Sequence, residues 1–167
     1  NDVNAHPHIS ENGRIALVHN GIIENYMEIK EHLIKQGVTF ASDTDSEVVA
    51  QLLEFHYHEC GNMLEAVGRV LRRIEGIICA DYPNALIAAR KDSPLILGYG
   101  ENGNFLASDV TAVIKHTRDV VYMDDGEIAV LTADSIDVFD DELIPVDKKH
   151  HTVDWDVSAA EKGGYAH

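Results

Sequence analysis

The sequence changes texture at Gly76, and that break constrains the fold more than any other feature. Beyond it, Ile77–Ala80, Leu86–Ala89, Leu95–Leu97, Phe105–Ala107, Val120–Met123, Ile128–Leu131 and Ile136–Phe139 are short apolar runs divided by Gly, Pro, Asn and Asp. Runs this short, punctuated this way, read as strands joined by turns. Asp124-Asp125-Gly126-Glu127, between two of them, carries the pattern of a β-hairpin with Asp125-Gly126 at its centre. Before the break the pattern is mostly helical. A strand at Ile15–Val18 leads into a helix from about Ile23 to Gln36, with Tyr26, Ile29, Leu33 and Ile34 on one face and Gly37 as its stop. Val38-Thr39-Phe40 is short and β-prone. Ser42-Asp43-Thr44-Asp45 supplies candidate caps for a helix ending near Gly61, and Asn62 caps a third that runs towards Gly76. Helices followed by an antiparallel strand series predict one layered α+β domain.

A length of 167 residues suits one such domain, and 45% hydrophobic residues are enough to bury a core. Thirteen Lys and Arg face 29 Asp and Glu, a formal charge of −16. Such a surface repels phosphate backbones and anionic lipid, so neither nucleic acid nor membrane is an expected partner. No apolar run approaches the roughly 20 residues that a membrane-spanning helix needs. Cys60 and Cys79 are too few for a disulfide framework, and a reducing cytoplasm suits them.

Three groups of residues could carry chemistry. His19-Asn20-Gly21 follows a strand, where the Asn20 amide and the Gly21 N–H can point one way and stabilise a developing oxyanion. Asn-Gly also suits a hairpin turn, although a helix rather than a partner strand follows here. In Ser42-Asp43-Thr44-Asp45-Ser46-Glu47, Asp45 can cap a helix or hold the ammonium group of a small ligand. The histidines of His6-Pro7-His8, His56 with His58, and His150-His151 lack metal-ligand spacing and read as solvated or hydrogen-bonded groups, so no metal is expected. Gly98-Tyr99-Gly100 with Gly103 lacks the spacing of a phosphate loop. Cys60 at a helix end and Cys79 in an apolar run read as packing residues.

Asn4-Ala5-His6-Pro7-His8, Val18-His19-Asn20-Gly21-Ile22-Ile23-Glu24-Asn25 and Ser42–Glu47 occur in this order with Ser93-Pro94-Leu95, Asn104–Asp109 and Glu161-Lys162-Gly163-Gly164-Tyr165. Together they resemble the glutaminase domain of the glutamine–fructose-6-phosphate aminotransferases, a family of class II glutamine amidotransferases. The resemblance covers nearly the whole sequence. It implies an α+β fold, a four-layer αββα sandwich of the N-terminal-nucleophile hydrolase type. It implies that Asn20 and Gly21 form the oxyanion hole, that Asp45 holds the α-ammonium of L-glutamine, and that His6 lies beside the site. It implies no cofactor.

The family's nucleophile is an N-terminal cysteine whose own α-amine acts as base, and an arginine clamps the substrate carboxylate. This sequence opens at Asn1, so the expectation is a domain truncated at its N-terminus, over 1–155, with 156–167 starting an interdomain linker. Such a chain lacks the nucleophile and alone should not hydrolyse glutamine. In the family, the ammonia converts fructose 6-phosphate to glucosamine 6-phosphate in an isomerase domain, which is expected to lie outside these residues. Sheet edges bared by truncation invite pairing with a second chain, so dimerisation (a homodimer) or rearrangement is expected, and a stable monomer in light scattering would count against it. Three other readings stay open: a non-catalytic glutamine- or glutamate-binding module, an amidotransferase half serving a different acceptor, and a metal-dependent protein using the histidine pairs. Calorimetry with glutamine tests the first, the identity of the acceptor domain the second, and elemental analysis the third.

Overall fold

The computed structural model describes residues 4–19, 23, 25–70, 81–90 and 94–154, together with the backbone of 76–79. Strands β1 (His8–Ile9) and β2 (Ile15–Val18) lead into helices α1 (Tyr26–Lys35), α2 (Asp45–Cys60) and α3 (Met63–Val70). Then follow β3 (Gly76–Cys79), β4 (Leu86–Ala89), β5 (Ile96–Gly100), β6 (Gly103–Ala107), α4 (Val110–Val113), β7 (Asp119–Tyr122), β8 (Ile128–Leu131), β9 (Ile136–Phe139) and β10 (His151–Thr152). The strands make two antiparallel sheets, one ordered β1-β2-β3-β4-β8-β9 and the other β10-β7-β5-β6.

Three apolar clusters lie between four layers. Ile15, Leu17, Ile87 and Ile128 of the six-stranded sheet pack against Val49, Leu53, Met63 and Val67 of α2 and α3. Ala88, Ala129, Leu131 and Val138 of that same sheet meet Leu97 and Val121 of the second sheet, with Leu95 and Met123 flanking them. On the far side, Ile96 and Val120 are covered by Val113 and Ile114 of the α4 segment and by Val153. The αββα order expected from the resemblance is therefore present, with one four-residue helix supplying the described part of its fourth layer. Central strands buried on both faces explain why the apolar runs show no clean alternation.

Helix boundaries follow their caps. Thr44 caps α2 by accepting the Glu47 N–H, and Gly61 closes it at φ 67°, a conformation that glycine adopts without strain. Asn62 Oδ1 accepts the Glu65 N–H at the start of α3. The extension of this third helix through Leu71 and Ile74 falls outside the described residues. In α1, Leu33 is buried while Ile34 is 53% exposed, so the apolar stripe runs through Tyr26, Ile29 and Leu33 and excludes Ile34.

Two expectations are overturned. Val38-Thr39-Phe40 forms no strand, because its polar groups serve the network described below. The Asp124–Glu127 turn is no hairpin: β7 pairs with β5 and β10, and β8 with β4 and β9. The turn instead carries the chain from one sheet to the other. Gly126 adopts φ 86° and donates its N–H to Arg90 O, the Arg90 side chain pairs with Asp125, and Lys148 bonds Asp124 and Glu127. A two-residue turn signal specifies the local bend and leaves open which sheet receives the next strand.

Candidate functional site

The antiparallel pair β1–β2 brings His8 opposite Leu17, so His8 and His19 emerge at the same end of the sheet. The N-terminus of α2 docks at that end. His8 Nδ1 lies 3.3 Å from Thr44 Oγ1, and His19 Nδ1 lies 3.2 Å from Ser46 Oγ. Two buried imidazoles thus grip the hydroxyls on either side of Asp45, each imidazole 5% exposed. The Asp45 carboxylate is half-buried. Its Oδ2 accepts the Ile23 N–H at 2.9 Å and its Oδ1 accepts from Ser46 Oγ at 3.4 Å. A carboxylate at a helix N-terminus is favoured by the helix dipole. Two such bonds leave lone pairs for an incoming cation.

Beneath this carboxylate lies Glu47, 4% exposed. Its Oε1 accepts the Ala41 N–H at 2.7 Å and lies 3.5 Å from Gln51 Nε2, while Oε2 accepts both the Ser42 N–H at 2.6 Å and the Ser42 hydroxyl. Burial pushes the Glu47 carboxyl up, but these hydrogen bonds outweigh burial and hold it below the ordinary carboxylate range. Gln51 extends the network by accepting the Glu11 N–H and reaching towards Thr39 O. The loop before α2 is fixed from below, which fixes Thr44 and Asp45.

His6 is exposed, and its ring meets that of His8 edge-on at 5.1 Å. Burial holds the His8 imidazole below its ordinary value; His6 and His19 add to that effect, while Glu47 and Asp45 oppose it. His6 thus touches His8, and His8 reaches Thr44, the residue before Asp45; His6 and Asp45 themselves share no direct contact among those described. Asn20 and Gly21 lie outside the described residues; their neighbours His19 and Ile23 are both tied to the Asp45-Ser46 dipeptide. In the sequence His8 stands out only as one of several paired histidines, and Thr44 and Ser46 only as neighbours of Asp45. Hydroxyl residues flanking an aspartate at a helix start were the available signal.

Cys60 ends α2, so the 1.5 Å rise per residue places it about 22 Å from Asp45. It cannot be the attacking group there. Among the described residues, no cluster of three or more His, Cys, Asp or Glu has the arrangement of a metal site, and no helix is long and apolar enough to cross a membrane. The glycines of Gly98-Tyr99-Gly100 serve packing. A Cβ on Gly98 would fall 2.5 Å from Val113, and one on Gly100 would fall 2.7 Å from Gly103 O.

Residues 2–115 match the family model described as a glutamine amidotransferase domain. The chain belongs to that family. Amidotransferase membership agrees with the resemblance carried by the Asn-Ala-His-Pro-His, His-Asn-Gly and Thr-Asp segments. Over 99% of its length the chain is 50% identical to the glutamine–fructose-6-phosphate aminotransferase [isomerizing] of Caldanaerobacter subterraneus subsp. tengcongensis, covering 28% of that protein. It is 49% identical to the enzyme of the same name from Fusobacterium nucleatum, again over 99% of this chain and 28% of the relative. Against the Methanosarcina mazei enzyme the identity is 49%, with 98% and 29% covered. The chain thus spans under a third of the length of these curated relatives. Among solved structures, the glutamine phosphoribosylpyrophosphate amidotransferase of B. subtilis, complexed with ADP and GMP, matches with a TM-score of 0.66 at 22% identity, covering 85% of this chain and 33% of that one. At that identity the likeness concerns the fold, and it bears out the N-terminal-nucleophile type of α+β sandwich for this amidotransferase domain.

Proposed function

We propose that this amidotransferase domain hydrolyses the side-chain amide of L-glutamine, and that the ammonia released converts fructose 6-phosphate to glucosamine 6-phosphate elsewhere in the same polypeptide. The observation that carries the reading is the half-buried Asp45 carboxylate, oriented by Ile23 and Ser46 beside the strand end that leads into Asn20-Gly21. Asp45 receives the α-ammonium of glutamine, with His6 at the rim. Asn20 and the Gly21 N–H stabilise the oxyanion that forms when a thiolate attacks the amide carbon. Two donors aimed at developing charge are worth more to the transition state than to the substrate, and that difference is what accelerates the step. In the family the thiolate belongs to an N-terminal cysteine, so the attacking group is supplied from outside the described residues. Residues 1–155 form the domain and 156–167 begin the linker towards the sugar-phosphate portion. The acidic surface and scarce cysteines support a cytoplasmic setting.

The test follows glutamate and ammonia release from L-glutamine by the natural full-length polypeptide carrying this sequence. Asn20→Ala is expected to lower kcat by roughly 10²- to 10³-fold, and Asp45→Asn to raise KM. Absence of hydrolysis by the full-length polypeptide, or hydrolysis untouched by both substitutions, overturns the proposal.

A further inference from the structure

Asp45 can discriminate an ammonium only if its carboxylate is held in one orientation, and each of its two oxygens has a contact that restrains it. Ile23 N–H fixes Oδ2 from one side. On the other side, Ser46 Oγ reaches Oδ1 at 3.4 Å while also lying 3.2 Å from His19 Nδ1. A serine hydroxyl has one proton to give. If that proton points to Asp45, the Ser46 oxygen is left as acceptor and His19 Nδ1 must carry the hydrogen. The bonds then run in one direction, from His19 through Ser46 to Asp45. Both His19 and Ser46 are 5% exposed, so water does not compete for either partner.

We propose that His19 and Ser46 are positioning residues that aim the Asp45 carboxylate, and thereby set the preference of the site for ligands with an α-ammonium group. The inference rests on the reading of Asp45 given under the proposed function. Neither side chain touches the reacting amide; they act through Asp45. Thr44 and His8 do not duplicate this role, because the Thr44 hydroxyl is committed to capping α2 and to Ser42.

The test compares two ligands differing only in the amino group, L-glutamate and glutarate, titrated calorimetrically into the natural full-length polypeptide. Wild type is expected to prefer L-glutamate, and Asp45→Asn to abolish that preference. Ser46→Ala and His19→Leu should each reduce the preference by about five- to tenfold, the scale of one well-placed hydrogen bond, with glutarate affinity unchanged. Ser46→Thr, which keeps a hydroxyl, and His19→Asn, which keeps a donor near the Nδ1 position, should restore most of it. A far-UV spectrum and melting curve for each variant identify any that fail to fold, and the Thr and Asn variants then decide alone: loss of the preference in either overturns the proposal. Equal weakening of both ligands by Ser46→Ala marks a merely structural role and overturns the inference. So does an unchanged preference in Ser46→Ala alongside a lost one in Asp45→Asn. An unchanged preference in Asp45→Asn instead removes the reading of Asp45 itself.

Discussion

Replacing Glu47 by glutamine should destabilise the domain far more than one lost charge on a surface would. Glu47 Oε1 receives the Ala41 N–H and Oε2 receives the Ser42 N–H. Whichever oxygen becomes an NH2 group sets a donor against a backbone donor. Leaving one such group unsatisfied costs about 1–3 kcal/mol, and the remaining bonds weaken as the acceptor loses its charge. A total of about 3 kcal/mol is expected, or roughly 6–12 °C in Tm for a chain of this length. The effect has a pH signature. Because the folded carboxyl lies below its ordinary value of 4.5, the unfolded chain binds the proton first, and stability rises with pH across that window. The stabilisation is complete above 4.5 and is lost as pH falls through the depressed value. Urea unfolding followed by far-UV circular dichroism, for wild type and Glu47→Gln between pH 7 and pH 3, measures both parts. A difference below about 0.5 kcal/mol at pH 7, less than half of one typical net hydrogen bond, would refute the argument. A difference that fails to shrink in acid would do the same.

Gly98→Ala places a methyl group 2.5 Å from Val113 and 2.8 Å from Thr117, so unfolding should show a loss of about 1–3 kcal/mol even though alanine suits a strand no worse than glycine. Lys148→Met leaves Glu127, itself 7% exposed, without its cation and should cost about 3 kcal/mol at neutral pH, measured by the same urea titration. Burial pulls the Lys148 ammonium down, but Asp124 and Glu127 more than offset this and raise it above 10.5. The ammonium's contribution is therefore complete below pH 10.5 and lost as pH rises through the raised value, so the gap between wild type and Lys148→Met should narrow in strong alkali, and again in acid as the Asp124 carboxyl, which Lys148 holds below its ordinary value, takes up a proton.

Much of the architecture was legible because the apolar runs are bounded by residues with definite turn and cap chemistry. The strand at Ile15–Val18, the cap region before α2 and the stop at Gly61 are all where local rules put them. Local rules failed where partners are distant. Asp125-Gly126 fixes a tight bend, yet the identity of the next strand's partner depends on two sheets formed from distant parts of the chain. Val38-Thr39-Phe40 has strand-forming residues, but the Thr39 hydroxyl goes to Glu11 and the Thr39 carbonyl to Gln51. At the site, Asp45 stood out in sequence, whereas the imidazoles flanking it did not. Nothing in the spacing of His8, His19 and Ser46 reveals that a sheet end and a helix start will meet.

The pairing of β2 with β3 also sets a timetable. Val18 finds its partner at Gly76, 58 positions later (76 − 18), with α1, α2 and α3 encoded between them. At a synthesis rate of about 5–20 residues per second, β2 waits roughly 3–12 s on the ribosome before its partner strand emerges. During that interval one edge of β2 has unmet backbone groups, and Ile15 and Leu17 are covered only as far as the newly made helices have folded over them. The helices encoded between the two strands are thus the part of the core that can cover the β1–β2 pair first, and a mutation that slows α2 folding would lengthen the period in which Ile15 and Leu17 stay uncovered.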